Sequence, residues 1–192
     1  MRRRYYNEAH MGSVAVHGHR DQASGVVLHF TSGRDGTVAS SVAALNEHGL
    51  GYEAIIHKGV IYSLAKPDQV LYHCKGKNRS HIGVAIKHEG LRKSPCERSV
   101  PAVNRRNGQP MHQRRYTARD LEQAALHVAD LLRGYCVPGC TEVLFHDELD
   151  PSKNDPGPAF PRRSWLEAVH ALVRGEEPAD FTQMEPEGFD YT

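Results

Sequence analysis

Between Thr117 and Tyr135 the apolar residues Leu121, Ala124, Ala125, Val128, Leu131, Leu132 and Tyr135 recur at spacings of three and four. That is one continuous stripe on a helix capped by Thr117, and a stripe of this length has to be buried against another layer. Short β-branched runs elsewhere in the chain supply that layer. Gly25-Val26-Val27-Leu28-His29-Phe30 reads as a buried strand ending in Thr31-Ser32-Gly33 turn chemistry, and Ile82-Gly83-Val84-Ala85-Ile86 as another strand. Ala54–His57 and Val60–Leu64 flank Lys58-Gly59, the signature of a hairpin, and Val143–His146 is a further strand. Thr37 caps a helix from Val38 to about His48, with Val42 and Leu45 on its apolar side and Gly49 as its stop. A last helix spans Ser164 to Arg174, burying Trp165, Leu166, Val169, Leu172 and Val173 and ending at Gly175. Strands alternating with helices, plus one hairpin, predict an α/β fold: a single domain with a mixed central β-sheet flanked by helices.

A length of 192 residues fits one such domain. The expected organisation is an irregular N-terminal segment over 1–23, the domain over 24–175, and an acidic, flexible tail over 176–192. Residues 91–116 are basic, proline-bearing and aperiodic and read as a long surface loop, and the chain has no internal repeat. The 24 Lys and Arg residues balance 23 acids for a formal charge of +1, which gives no electrostatic case for a nucleic-acid partner. No apolar run approaches the roughly 18 residues of a membrane span, so no membrane partner is expected. The start, Met1-Arg2-Arg3-Arg4-Tyr5-Tyr6, lacks the apolar stretch of a secretory signal. The expectation is synthesis in the cytoplasm without a signal peptide. Four cysteines, at 74, 96, 136 and 140, are too few to define a disulfide framework. Around the spacer Val137-Pro138-Gly139, Cys136 and Cys140 leave three readings open: a disulfide, a metal clip or two ordinary thiols.

The unusual residue is histidine, with 13 copies against five phenylalanines and one tryptophan, in a side chain suited to metals and proton transfer. Two of them occupy equivalent local positions: His29 and His146 each end a short apolar strand and precede a polar loop, where open α/β sheets place ligands. Beyond His146, a loop stiffened by Pro151, Pro156 and Pro158 carries Asp155. Two imidazoles and one carboxylate, with water in the fourth position, form the open tetrahedral zinc arrangement of a hydrolase. Spacing alone equally allows two ordinary strand-end histidines. His17-Gly18-His19 reads as exposed rather than as a metal hook, and His57, His81 and His88 as surface strand positions rather than substrate contacts. The pairs Arg105-Arg106 and Arg114-Arg115 are either a solvated face or an attraction for the carboxylates of an anionic ligand.

Five ordered segments carry a resemblance: Val27-Leu28-His29-Phe30-Thr31, Gly51-Tyr52-Glu53-Ala54-Ile55-Ile56 with Lys58-Gly59, Tyr72-His73-Cys74-Lys75-Gly76, Ser80-His81-Ile82-Gly83-Val84, and His146 to Gly157. From about residue 25 to 161 the chain resembles zinc-dependent N-acetylmuramoyl-L-alanine amidases (amidase type 2). This family includes phage lysozyme-type amidases, bacterial muropeptide amidases and animal peptidoglycan recognition proteins. The resemblance implies the fold of that family and Zn2+ held by His29, His146 and Asp155. It implies Tyr52 and Lys153 as catalytic residues that stabilise the developing oxyanion, and His73 as a residue lining the cleft. Asn78 and Arg79, just after the His73 segment, are placed to touch substrate.

There are departures from the family pattern. Ala85 stands where recycling-type muropeptide amidases carry a strand glutamate, so the site leans toward the phage-type version built on Tyr52 and Lys153. Glu53 follows Tyr52 where histidine is common; it is a candidate substitute base, although strand alternation turns it away from Tyr52. The implied activity is hydrolysis of the amide between N-acetylmuramic acid and L-alanine in peptidoglycan, by a phage-type endolysin or a secreted antibacterial effector. The alternatives are a non-catalytic peptidoglycan-binding module and a cytoplasmic muropeptide-recycling enzyme. A lysin or effector would reach the periplasmic or cell-wall substrate by holin-assisted release or secretion-system injection, an effector being paired with an immunity protein.

Overall fold

The computed structural model describes residues 8–10, 14–32 and 37–187. Its elements are β1 (Glu8–His10), β2 (Gly25–Ser32), α1 (Val38–Glu47), β3 (Ala54–His57), β4 (Val60–Ser63), β5 (His81–His88), β6 (Leu91–Arg92), β7 (Ser99–Val103), β8 (Pro110–Arg114), α2 (Ala118–Gly134), β9 (Val143–Phe145), α3 (His146–Leu149) and α4 (Arg162–Arg174), followed by a 3-10 turn at Phe181–Gln183. Six strands form the central sheet in the order β1-β4-β3-β5-β2-β9. It is mixed: β3 and β4 are antiparallel, and the other pairs are parallel. The β3–β4 turn is left-handed at both Lys58 (φ 52) and Gly59 (φ 70), the conformation that suits a tight hairpin. Among the described residues no helix is long and apolar enough to cross a membrane.

The two faces of the sheet follow strand alternation. Val26 and Leu28 on β2, Ala54 and Ile56 on β3, and Val84 and Ile86 on β5 pack against Leu121, Ala125 and Val128 of α2 and Trp165 and Val169 of α4. The opposite face is thinner; there Ile55 and Ala85 meet Val38 of α1, with Val14, Leu64 and Leu71. Trp165 is fully buried, packs edge-on to Phe160 at 5.2 Å and donates from Nε1 to the Leu121 carbonyl at 2.9 Å. This satisfies its one polar atom inside the core.

Helix α2 is capped as its sequence predicts. Thr117 Oγ1 accepts from the Asp120 N–H at 3.1 Å and donates to Asp120 Oδ2 at 2.7 Å, while Asp120 Oδ1 accepts from the Gly59 N–H at 2.8 Å. The cap therefore also ties the helix to the β3–β4 hairpin. Thr117→Ala is expected to lower stability by about 1 kcal/mol, the usual cost of losing a cap, read as a shift in the urea midpoint at unchanged slope.

Three stretches differ from the sequence expectation. Residues 91–114 are not an irregular loop but hold a second sheet, in the order β6-β8-β7. Its strands are short and carry Pro101 and Pro110, and that chemistry concealed it. The N-terminal segment contributes β1 as a parallel edge strand on β4, and Ala23 bridges to Cys136. After Gly175 the chain packs back, burying Phe181 in the α2–α4 core; residues 188–192 of the expected tail lie outside the described residues.

Candidate metal centre

The site lies on the thinner face of the sheet. Strand β2 extends to Ser32, paired through to His88 of β5, so His29 is an interior strand residue rather than a strand end. In register it sits beside Ala85, and Ala85 beside Ile55, which fixes its direction toward the α1 side. His146 opens α3 immediately after β9. The loop that follows is folded back by the Asp147 N–H, which donates to the Asp155 carbonyl at 2.8 Å, and Asp155 is thereby brought against both histidines.

Three side-chain atoms converge. His29 Nδ1 is 3.0 Å from His146 Nδ1 and 3.1 Å from Asp155 Oδ2, and His146 Nδ1 is 2.8 Å from the same oxygen. The far side of His29 fixes its tautomer. His73 Nε2 lies 3.1 Å from the His81 carbonyl, which can only accept, so His73 Nε2 carries the proton and Nδ1 is bare. His29 Nε2, 3.1 Å from that bare Nδ1, must then be the donor, which leaves the His29 Nδ1 lone pair aimed at a carboxylate oxygen. A lone pair and an anion at this distance call for a cation between them. Burial, foremost, pushes His29 down to about 4, opposed by the hydrogen bond that a protonated Nδ1 would give Asp155, so a proton is disfavoured at neutral pH. For Asp155, burial, foremost, raises the carboxyl pKa, but the His146 hydrogen bond and the neighbouring His29 ring outweigh it and hold the group well below the usual carboxylate range. Two neutral imidazole nitrogens and one carboxylate suit zinc, whose bonds to such atoms are about 2.0–2.2 Å. His29, His146 and Asp155 are the one group of three or more possible metal ligands among the described residues.

A cleft of about 450 Å³ opens beside the cluster. Tyr52, Leu45 and Leu50 stand on its α1 side, and Lys153, Asn154, Asn104, Arg106 and Met111 come from the Asp155 loop and the second sheet. Tyr52 packs 4.9 Å from the His29 ring, and burial, reinforced by the Asp155 charge, raises its phenol well above the ordinary value. It is therefore a neutral O–H donor. Asp155 is the only carboxylate among the residues described as lining the cleft.

Other residues are placed differently from the sequence expectation. His73 does not line the cleft; it is buried behind His29, over Gly83, where a Cβ would come within 2.5 Å of its ring. Asn78 turns inward, its Oδ1 accepting from the N–H groups of His73 at 2.9 Å and Cys74 at 2.7 Å, and Arg79 is exposed; neither borders the cleft. Glu53, weighed as a substitute base, lies on the far face of the sheet, where it accepts from His127 Nε2 of α2 at 2.6 Å. Alternation from Tyr52 is the reason. His17 stacks on the Tyr72 ring at 3.7 Å, and all four cysteines are free thiols, Cys140 donating to the Ser24 carbonyl. Asn104, Arg106 and Met111 reach the cleft from the second sheet; the basic pair Arg105-Arg106 was the only sequence signal of this.

A profile of the N-acetylmuramoyl-L-alanine amidase family matches residues 11–158. No curated protein sequence matches the chain. Among solved structures, the chain is similar to the N-acetylmuramoyl-L-alanine amidase LysC from Clostridium intestinale, at 17% identity over 87% of this chain and 97% of that one, with a TM-score of 0.61. It is similar to AmpD, at 16% identity over 85% and 94%, TM-score 0.60. Drosophila PGRP-LB is 15% identical over 78% and 88%, TM-score 0.52. At these identities the likeness is one of fold, and it agrees with the mixed sheet and flanking helices described above.

Proposed function

The chain belongs to the N-acetylmuramoyl-L-alanine amidase family, and from that premise we propose that it is a zinc-dependent enzyme that cuts the bond between N-acetylmuramic acid and L-alanine in wall peptidoglycan. The observation that carries the zinc reading is the convergence of His29 Nδ1, His146 Nδ1 and Asp155 Oδ2 within 3.1 Å, with the His29 lone pair forced inward. Zinc held there supplies a Lewis acid and lowers the pKa of water toward neutrality.

The chain's own residues do the rest. Tyr52, kept protonated, donates a hydrogen bond to the oxygen of the scissile carbonyl as negative charge grows on it. Lys153, on the same loop as Asp155 and lining the cleft, neutralises that charge from the other wall. Arg106 adds a second cation and suits the carboxylates of a stem peptide. His73 holds the His29 ring in the tautomer that presents Nδ1. A catalytic rather than purely binding role is supported by the complete ligand set standing beside both Tyr52 and Lys153.

Work on intact wall, as an endolysin or a delivered antibacterial effector, is supported by Ala85, fully buried at the strand position where recycling-type enzymes resemble one another in carrying glutamate. Purified wall treated with the protein is expected to yield new L-alanine amino termini by mass spectrometry, without new reducing sugar ends. Chelation should abolish the reaction, and added zinc should restore it. Cleavage that persists after complete metal removal would overturn the zinc reading, and soluble anhydro-muropeptides cut in preference to wall would overturn the lytic one.

A further inference from the structure

We infer that the second sheet is a positioning device for the metal loop, with Gln113 and Arg105 as the residues that hold Asp155 where zinc needs it. The inference rests on the zinc amidase reading and adds a role for the region 91–114. Gln113, on β8, is fully buried and uses both ends of its amide on one short segment: Nε2 donates to the Pro156 carbonyl at 2.7 Å, and Oε1 accepts from the Ala159 N–H at 3.0 Å. Tyr116 donates to the same Pro156 carbonyl at 2.8 Å. The approach is close enough that a Cβ on Gly157 would fall 2.4 Å from Gln113 Oε1. Pro156 directly follows Asp155, so these bonds fix one side of the carboxylate ligand.

The other side is fixed from the β7–β8 turn. The Arg105 N–H donates to Asn154 Oδ1 at 2.9 Å, and its guanidinium Nη1 donates to the Asp147 carbonyl at 2.5 Å. Asp147 is the residue whose N–H holds the Asp155 carbonyl, and its own carboxylate is bound by Arg162 at 2.5 Å. One small sheet therefore grips residues 147, 154 and 156, around a single ligand. Without that grip, Asp155 would no longer be held against the His29 lone pair, and the metal would meet a site that first had to be assembled. Groups that orient metal ligands in this way typically contribute 10–100-fold in metal affinity.

The test uses the zinc-loaded full chain and its variants Arg105→Ala and Gln113→Met, with zinc transfer to a chromogenic chelator as the readout. Zinc affinity is expected to fall about 10–100-fold, with activity on wall reduced in zinc-limited buffer and recovered in excess zinc. Arg105 is partly exposed, and thermal melting of metal-free Arg105→Ala should stay close to that of the parent, which a purely structural role would not allow together with faster zinc loss. Zinc affinity in Arg105→Ala equal to the parent's overturns the inference whatever Gln113→Met does. A parent protein that retains no zinc removes the zinc reading itself; a parent that retains it beside unaltered variants removes only the role of the second sheet.

Discussion

Asp155→Ala is expected to lose bound zinc and about 10³-fold or more in kcat/KM on wall, equivalent to roughly 4 kcal/mol of transition-state stabilisation. The reason is charge as much as ligand count. Asp155 is the sole carboxylate described in the cleft, and it is held ionised by the two histidines. Without it a divalent cation would be left with His29 and His146, two neutral donors, and with Lys153 and Arg106 in the cleft walls as uncompensated cations. Asp155→Asn separates the two contributions, since it keeps the volume and the hydrogen-bonding capacity but not the anion; it is expected to fall nearly as far. Metal content by elemental analysis and release of stem peptide from wall are the two measurements. A variant that keeps one zinc per chain and activity within tenfold of the parent would show that the carboxylate is not a ligand.

How much of this site could be read from the sequence depends on which interactions were local. The α2 stripe, its Thr117 cap and the Lys58-Gly59 hairpin are set by residues a few positions apart, and they stand in the structure where their spacing predicts. His29 is more than a hundred residues of chain from His146 and Asp155, and spacing leaves the two histidines equally readable as ordinary strand-end residues. Five motif segments in family order selected the zinc reading. The interior position of His29 is not visible in the sequence because the extent of β2 is set by pairing with β5, a partner 56 residues away. His73 was read as a cleft residue from its motif. Its burial follows from Gly83, whose missing Cβ makes the space its ring occupies, and a glycine within an apolar run gives no sign of what lies above it. The second sheet is hidden for a different reason: prolines and charges interrupt the strand signal in 91–114, and only Val100 of its strands enters the main core cluster.

The metal-free protein is expected to lose stability in acid through His88, which the sequence reads as a surface strand position and which the structure buries. His88 is buried against Tyr116, with ring centroids 4.4 Å apart. Both of its nitrogens are committed: Nε2 donates to the Arg114 carbonyl at 2.8 Å, and Nδ1 accepts from the Gly90 N–H at 2.9 Å. Protonation would put a hydrogen where Nδ1 now accepts, and would place a charge in the core. Burial, foremost, pushes the group down to about 4 from an ordinary 6.5, with the Arg114 hydrogen bond opposing. The folded-state value lies below the unfolded one, so the contribution is fully present above pH 6.5 and is lost as pH falls from 6.5 toward about 4. At the acid end the loss amounts to about 3 kcal/mol. His29 shifts in the same direction, which makes a variant necessary to isolate His88. His88→Gln retains a donor for the Arg114 carbonyl and cannot be charged, while His29 contributes equally to both proteins. Urea unfolding of the two apoproteins between pH 7.5 and 4.5 should therefore give a shallower decline for His88→Gln, even if it starts lower from lost packing against Tyr116. Parallel curves would mean that the pKa of His88 does not change on folding, and would overturn this prediction.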